Sequence, residues 1–211
     1  MRRRASAAVA IDRLLQVYPD VRPHLAFRDE LELLVATMLA AQCTDDQVNR
    51  VTPALFARCP DAASLASIPL AELERLVRPT GFYRQKAKNV KKAAALLVER
   101  FGGRVPRTVD ELATLPGVGR KTGNVVAGLM FGRPAIIVDT HFRRVVQRLG
   151  LSRADDPARI ETELRVLVPP GVQTRFSMAA NEHGRRSCRA RRPLCPQCPV
   201  SDLCRWPGKE A

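Results

Sequence analysis

The 211-residue sequence is poor in aromatics: one Trp, two Tyr and seven Phe make up 5%. That disfavours a stacking platform for single strands, which needs successive aromatic faces. No apolar run approaches the ~20 residues that a membrane span requires. The apolar stretch behind Met1-Arg2-Arg3-Arg4, from Ala7 to Ile11, ends at Asp12. It is too short for a signal peptide, and no cleavage pattern follows. The chain therefore reads as intracellular, in cytoplasm or nucleoid, with Arg2 to Arg4 as a disordered arm. Strand signals are almost missing. Ala135-Ile136-Ile137-Val138 is apolar and β-branched, but one short run without partners makes no sheet, so it reads as an extended connector. Solenoid repeats and low-complexity tracts are absent as well. Acidic residues are scarce relative to basic ones: 21 against 35, a formal charge of +14, with a pI near 10.5. Such an excess points to a polyanion, nucleic acid first.

What is present is helical patterning, and the fold class reads as all-α. Ala8 to Tyr18 places Ile11, Leu14, Leu15 and Tyr18 on one face. Asp29 to Ala41 is apolar nearly all round, as in a buried helix. Leu70 to Val77 repeats the pattern. Gln85 to Phe101 puts Val90, Ala94, Leu97 and Val98 inside and its lysines outside, and Gly102-Gly103 ends it. Thr108-Val109-Asp110-Glu111 has the form of a capping box and opens a short helix to Leu115. Further helices are predicted at Gly119 to Phe131, Asp139 to Leu149, Pro157 to Val168 and Val172 to His183. The last ~25 residues trade aliphatics for Arg, Pro and Cys, and a segment without a core of its own needs a metal staple.

Four of the six cysteines crowd into that tail as Cys188-x6-Cys195-x2-Cys198-x5-Cys204; Cys43 and Cys59 stand apart. In an intracellular chain this is a metal site rather than a disulfide framework. Four thiolates suit a [4Fe–4S] cluster or a zinc ion, and spacing alone leaves both open. Around them lie Arg185, Arg186, Arg189, Arg191, Arg192 and Arg205, with Asp202 as the accompanying acid. Held in place by a metal, they would form a phosphate clamp rather than a solvated tail.

Between two helical segments stands Leu115-Pro116-Gly117-Val118-Gly119. Proline fixes φ and the glycines permit a tight hairpin, so backbone N–H groups face outward at the start of the next helix, as an anion site would require. An ordinary interhelical turn is the competing reading. Lys121 follows two residues later. The positive end of the helix dipole and desolvation both favour a neutral, nucleophilic amine there. Asp139 is suited to take the amine's proton and to steady a cationic sugar-like transition state. Eighteen residues of separation do not fix their proximity, so a surface lysine and an N-cap aspartate stand as alternatives. Arg84, Lys86, Lys88, Lys91, Lys92, Arg100, Arg104 and Arg107 form a basic run with Glu99 as its acid, suited to phosphates if it is more than a solvated face.

Taken together, these pieces resemble endonuclease III, the bifunctional DNA glycosylase of the helix-hairpin-helix superfamily. The resemblance rests on Leu115 to Asn124, on Val138-Asp139-Thr140-His141, on His183-Gly184-Arg185 and on the cysteine spacing. Leu39 to Asp45 and Gly81-Phe82-Tyr83 also fall where that family has its DNA-intercalating elements. It implies two helical lobes: a barrel over 26–135 containing the helix-hairpin-helix at about 108–128, and a second lobe from 1–25 plus 136–211. It implies that Cys188, Cys195, Cys198 and Cys204 bind [4Fe–4S], and that Lys121 and Asp139 line a cleft. The implied partner is duplex DNA carrying a damaged pyrimidine or an abasic site. The implied reaction is base flipping, attack of Lys121 on C1′, Schiff base formation and β-elimination, in base excision repair. Gln42 would fill the gap and Phe82 wedge into the opposite strand. Gly117, Val118, Gly119, Arg185, Arg189, Arg191 and Arg192 would hold phosphates.

Lys121 separates this reading from the adenine glycosylases of the superfamily, which lack that lysine and carry a catalytic glutamate where this chain has about Ala36. A thymine-mismatch glycosylase would have tyrosine at 121. Phe82 departs from the family's usual leucine, which bears on opposite-base preference, and Cys43 and Gly123 stand where alanine is common. Cys43 reads as a small buried hydrophobe. A damage-sensing scaffold without catalysis is the second reading; Lys121 and Asp139 together argue against it. No apolar helix face is left over, so a monomer is expected.

Overall fold

Residues 2–210 are described by a computed structural model. Eleven α-helices are found among them: α1 (Arg2–Val17), α2 (Glu30–Leu39), α3 (Asp45–Arg58), α4 (Ala62–Ser67), α5 (Leu70–Val77), α6 (Tyr83–Phe101), α7 (Val109–Leu112), α8 (Arg120–Phe131), α9 (Thr140–Arg148), α10 (Pro157–Leu167) and α11 (Gln173–Arg186). No strand occurs among the described residues. Ala135–Ile137 is a buried extended connector; the Ile137 amide is satisfied by the Ser177 hydroxyl at 3.1 Å. The N-terminal arginines differ from expectation: α1 starts at Arg2 instead of leaving an arm.

The chain divides into two compact units, Pro23–Phe131 and Met1–Arg22 with Gly132–Ala211. The first is contiguous and its core is aliphatic: Leu33, Leu34, Leu39, Leu55, Leu65, Leu73, Leu97 and Leu112 are at most 1% exposed. Each fully buried leucine contributes about 2 kcal/mol by transfer from water. Side-chain caps start its helices. Asp29 accepts from the Glu32 amide at 2.9 Å, and Asp61 and Ser64 make a reciprocal box on α4. Thr108 caps α7, but Glu111 takes the Thr108 hydroxyl at 2.6 Å instead of its backbone N–H.

Helices α3 and α4 carry no expectation from the sequence pattern. Pro53 lies inside α3, where proline costs about 3 kcal/mol. The buried stripe Val48, Val51, Thr52, Leu55 and Phe56 outweighs it.

The second unit is assembled from both ends of the chain. Leu14, Ile136, Phe142, Val146, Ile160, Leu164, Phe176 and Val200 form its core, with Phe142 and Phe176 edge-to-face at 5.8 Å. Past α11 the chain makes only short 3-10 turns, at Cys195–Gln197, Ser201–Leu203 and Pro207–Glu210. Cys188, Cys198 and Cys204 pack against this core from the tail.

Candidate active site and its supporting metal centre

In the contiguous unit, Leu112, Leu115 and Val118 are buried and anchor the turn between α7 and α8. The Leu115 amide donates to the Leu112 carbonyl at 3.1 Å, and the Val118 amide to the Leu115 carbonyl at 3.0 Å. Val118 therefore holds the hairpin from within, its amide already engaged. Gly117 is needed on two counts: φ is +79°, and an added Cβ would lie 2.8 Å from the Cβ of Asn89. Gly119 faces open space without a positive φ. Gly117 and Gly119 are exposed, as is Lys121 in the first turn of α8. Within this unit nothing strips the lysine's water, so desolvation has to come from what it meets.

Beside the hairpin, a cavity of about 250 Å³ is lined by Met38, Ala41, Gln42, Phe82, Gln85, Lys86, Asn89 and Gly117. Gln42 and Phe82 both adopt left-handed backbone, φ +53° and +47°. That conformation is costly for residues with a Cβ, and it persists only where the surroundings enforce it. Phe82 is 69% exposed, and no other phenylalanine among the described residues is exposed. An exposed aromatic in strained backbone beside a cavity marks a contact surface rather than a core.

The basic run on α6 is less available than its sequence suggests. Lys86 is buried, and its ammonium donates to the carbonyls of Leu39 and Thr80. Burial pushes its pKa down. Lys91 donates to the carbonyls of Ala66 and Ile68, both at 2.5 Å. Both lysines satisfy loop ends where helices leave orphan carbonyls. Val98, expected inside, is 42% exposed. Arg84, Lys88, Lys92 and Arg100 remain exposed on α6, as do Arg104 and Arg107 in the segment that follows it.

In the other unit, Asp139 is the N-cap of α9. One carboxylate oxygen accepts from the Phe142 amide at 2.7 Å; the other accepts from the side-chain amide of Asn181. Asn181 in turn accepts from Arg185 Nε at 3.1 Å. The arrangement depends on close passage of α9 and α11. At Gly184 a Cβ would come within 2.9 Å of His141 Cβ and 3.0 Å of its carbonyl oxygen. Arg144 seals this crossing by donating to the carbonyls of Gly184 (2.7 Å) and Cys188 (2.8 Å). Sequence reasoning missed Asn181 and Arg144. Their partners lie about forty positions away, and only the α9–α11 crossing brings them together.

The four tail cysteines share one neighbourhood. Burial is the main influence raising the Cys198 thiol, followed by the charges of Cys188, Cys204 and Cys195. Cys204 is likewise raised, chiefly by burial. Among the described residues no three His, Cys, Asp or Glu side chains are close enough to hold one metal ion. Four thiols drawn into one neighbourhood are the donor set that a [4Fe–4S] cluster requires. Positive charge and donors surround them. Arg148 Nη1 lies 3.4 Å from Cys188 Sγ, with its guanidinium 3.8 Å from the Trp206 ring centroid. His183 Nε2 lies 3.5 Å from Cys198 Sγ, and burial pushes this histidine down to about 4. Arg13 ties α1 to the loop through Asp202 (2.6 Å) and the Pro199 carbonyl (3.3 Å). Arg185, Arg189, Arg191 and Arg192 are exposed. Arg189 Nε donates to the Arg186 carbonyl, and Arg192 has left-handed backbone, φ +51°.

Comparison with known proteins places these features in context. Residues 35–170 match the model of the HhH-GPD superfamily of base excision DNA repair proteins. Residues 188–204 match the iron-sulfur binding domain of endonuclease III. The chain is 50% identical to endonuclease III of Synechocystis over 192 residues, 90% of this chain and 88% of that protein. Two solved structures are similar with TM-score 0.92 and 42% identity, each covering 98% of this chain. One is a non-covalent endonuclease III–DNA complex (97% of its chain); the other is a trapped covalent endonuclease III–DNA intermediate with an estranged adenine (98%). No described helix is long and apolar enough to cross a membrane.

Proposed function

Because the chain belongs to the endonuclease III family, within the HhH-GPD superfamily of base excision DNA repair proteins, we propose that it works as follows. It is a DNA N-glycosylase with abasic-site lyase activity, acting in base excision repair on duplex DNA. Its substrates are oxidised pyrimidines of the thymine glycol type and abasic sites. It acts as a monomer, inside the cell, on chromosomal DNA.

The observation that carries this reading is the exposed Lys121 directly behind a buried-anchored hairpin. Gly117 and Gly119 present backbone to a phosphate, and the start of α8 adds its dipole. Gln42 and Phe82 enter the duplex, filling the gap and wedging the opposite strand, while the damaged nucleotide is turned out. The Lys121 amine, once deprotonated, attacks C1′. The C1′–base bond breaks and its electron pair leaves with the base. The nitrogen lone pair then expels O4′ from C1′, which opens the sugar as an iminium while O4′ takes up a proton. Loss of a C2′ proton expels the 3′ phosphate, and water releases the amine. Lys121 has to shed its proton to start, and contact with DNA supplies the desolvation that the free protein does not. Asp139, aimed by Phe142 N–H and Asn181, receives that proton and balances the developing positive charge. Arg185, Arg189, Arg191 and Arg192 bind phosphates, so affinity falls steeply with salt.

The [4Fe–4S] cluster, held by Cys188, Cys195, Cys198 and Cys204, supplies the cross-link that orders the loop presenting these arginines.

Borohydride trapping tests the reading. A thymine glycol duplex should give a covalent adduct with the parent chain and none with Lys121→Ala, while an undamaged duplex gives none with either. Base release without an adduct would instead indicate a monofunctional, water-using glycosylase.

A further inference from the structure

Lys86 is a charged side chain at the start of the buried stripe of α6, one turn before Val90, and is 7% exposed. Ala87, Val90, Ala94 and Leu97 already fill the core beneath that helix. A buried ammonium is costly, so its burial calls for a reason that the core does not supply. Its two acceptors give one. The Leu39 carbonyl, 2.8 Å away, ends α2 three residues before Gln42. The Thr80 carbonyl, 2.6 Å away, lies two residues before Phe82. Both acceptors are backbone atoms, so the link is independent of the side chains the loops carry. Thr80 is itself fixed, its hydroxyl donating to the Val77 carbonyl at 2.8 Å. The two loops are far apart in sequence, both hold a non-glycine residue in left-handed backbone, and both border one cavity together with Lys86.

We propose that Lys86 is a positioning residue that couples the Gln42 and Phe82 loops, so that the two side chains enter the duplex as one preset unit rather than as two independent fingers. The inference rests on the reading of Gln42 and Phe82 as DNA-inserting residues. Without the ammonium the loops keep their own turns but lose their common strut. Each then has to be ordered separately on binding, which weakens complexes with distorted DNA more than complexes with straight DNA.

The test is a double-mutant cycle in the full, cluster-loaded protein. Affinity is measured for a duplex containing a tetrahydrofuran abasic analogue and for the same duplex undamaged. In the Lys86 parent, the combined loss from Gln42→Ala and Phe82→Ala should fall short of the product of the single losses by about fivefold or more. In the Lys86→Met background the losses should multiply. Lys86→Met alone should weaken the abasic-analogue complex about tenfold, leave binding of undamaged duplex unchanged, and lower the fluorescence rise of a 2-aminopurine opposite the lesion. A purely structural lysine would not move that unstacking signal in a protein of parental helix content. Independent losses in the parent overturn the coupling, and that cycle needs no Lys86 variant to fold. Unchanged affinity and fluorescence in Lys86→Met overturn it as well. If neither Gln42→Ala nor Phe82→Ala weakens the abasic-analogue complex, the DNA-inserting reading itself falls and takes the coupling with it.

Discussion

The two units reach a fixed structure by different means. Pro23–Phe131 is one run of chain closed over leucine and valine, and its cysteines, Cys43 and Cys59, stand apart from the tail motif in the sequence. The other unit closes its core with Phe142 and Phe176, then hangs a tail of short turns on it through arginine contacts and four cysteines. Their chemical groups differ in the same sense. Lys121 is an exposed side chain on a rigid frame. Asp139 has both oxygens engaged by its neighbours. The difference teaches where each kind of substitution will be felt: at Lys121 in chemistry alone, at Asp139 in chemistry and fold together.

The largest expected effect sharpens that contrast. Lys121→Gln should abolish the borohydride adduct and lower strand nicking by at least ~10³-fold, with thermal stability unchanged in a melting scan. Asp139→Ala should lose activity and also melt earlier, because it removes a helix cap worth about 1 kcal/mol; equal melting of both variants would break the comparison. Next, Cys195→Ser should release iron and loosen the discontiguous unit. Hydrogen exchange would rise in α10 and α11 and stay low in α2 and α6. Uniform loosening would show that the leucine core does not stand by itself. Asn181→Ala should lower kcat about tenfold with KM nearly unchanged, since it misaims Asp139 without touching DNA; a pure KM effect would contradict that role. The smallest effect concerns Asp61, whose backbone and side-chain hydrogen bonds with Ser64 hold its carboxyl below the usual range. Its contribution is present above the unfolded carboxylate pKa, near 3.9, and fades as pH falls through the lower folded value. Melting temperatures of parent and Asp61→Ala should therefore differ slightly at neutral pH and converge in strong acid.

Sequence legibility follows locality. Leu70–Val77 is read to the residue because its apolar spacing and flanking Pro69 are local signals. The hairpin is legible for the same reason, since Gly117 and Pro116 announce a turn. The stretch 45–67 is not, because Pro53 and the polar start of α3 hide a stripe that only packing reveals. Lys86 and Lys91 look like solvated lysines until the carbonyls they meet, from other segments, are known. Asn181 carries no pattern at all; its meaning comes from Asp139, 42 positions away.

The discontiguous unit has a consequence for how the chain comes into being. Helix α1 is synthesised before Pro23–Phe131, but α11 and the Asp202 that receives Arg13 are made after it. At roughly 5–20 residues per second, Ala7, Ala10, Ile11 and Leu14 wait on the order of ten seconds or more for their cover. Pro23–Phe131 can close as soon as it emerges from the ribosome. A helix made early is thus seated late, and its apolar face stays uncovered in the nascent chain until α11 follows.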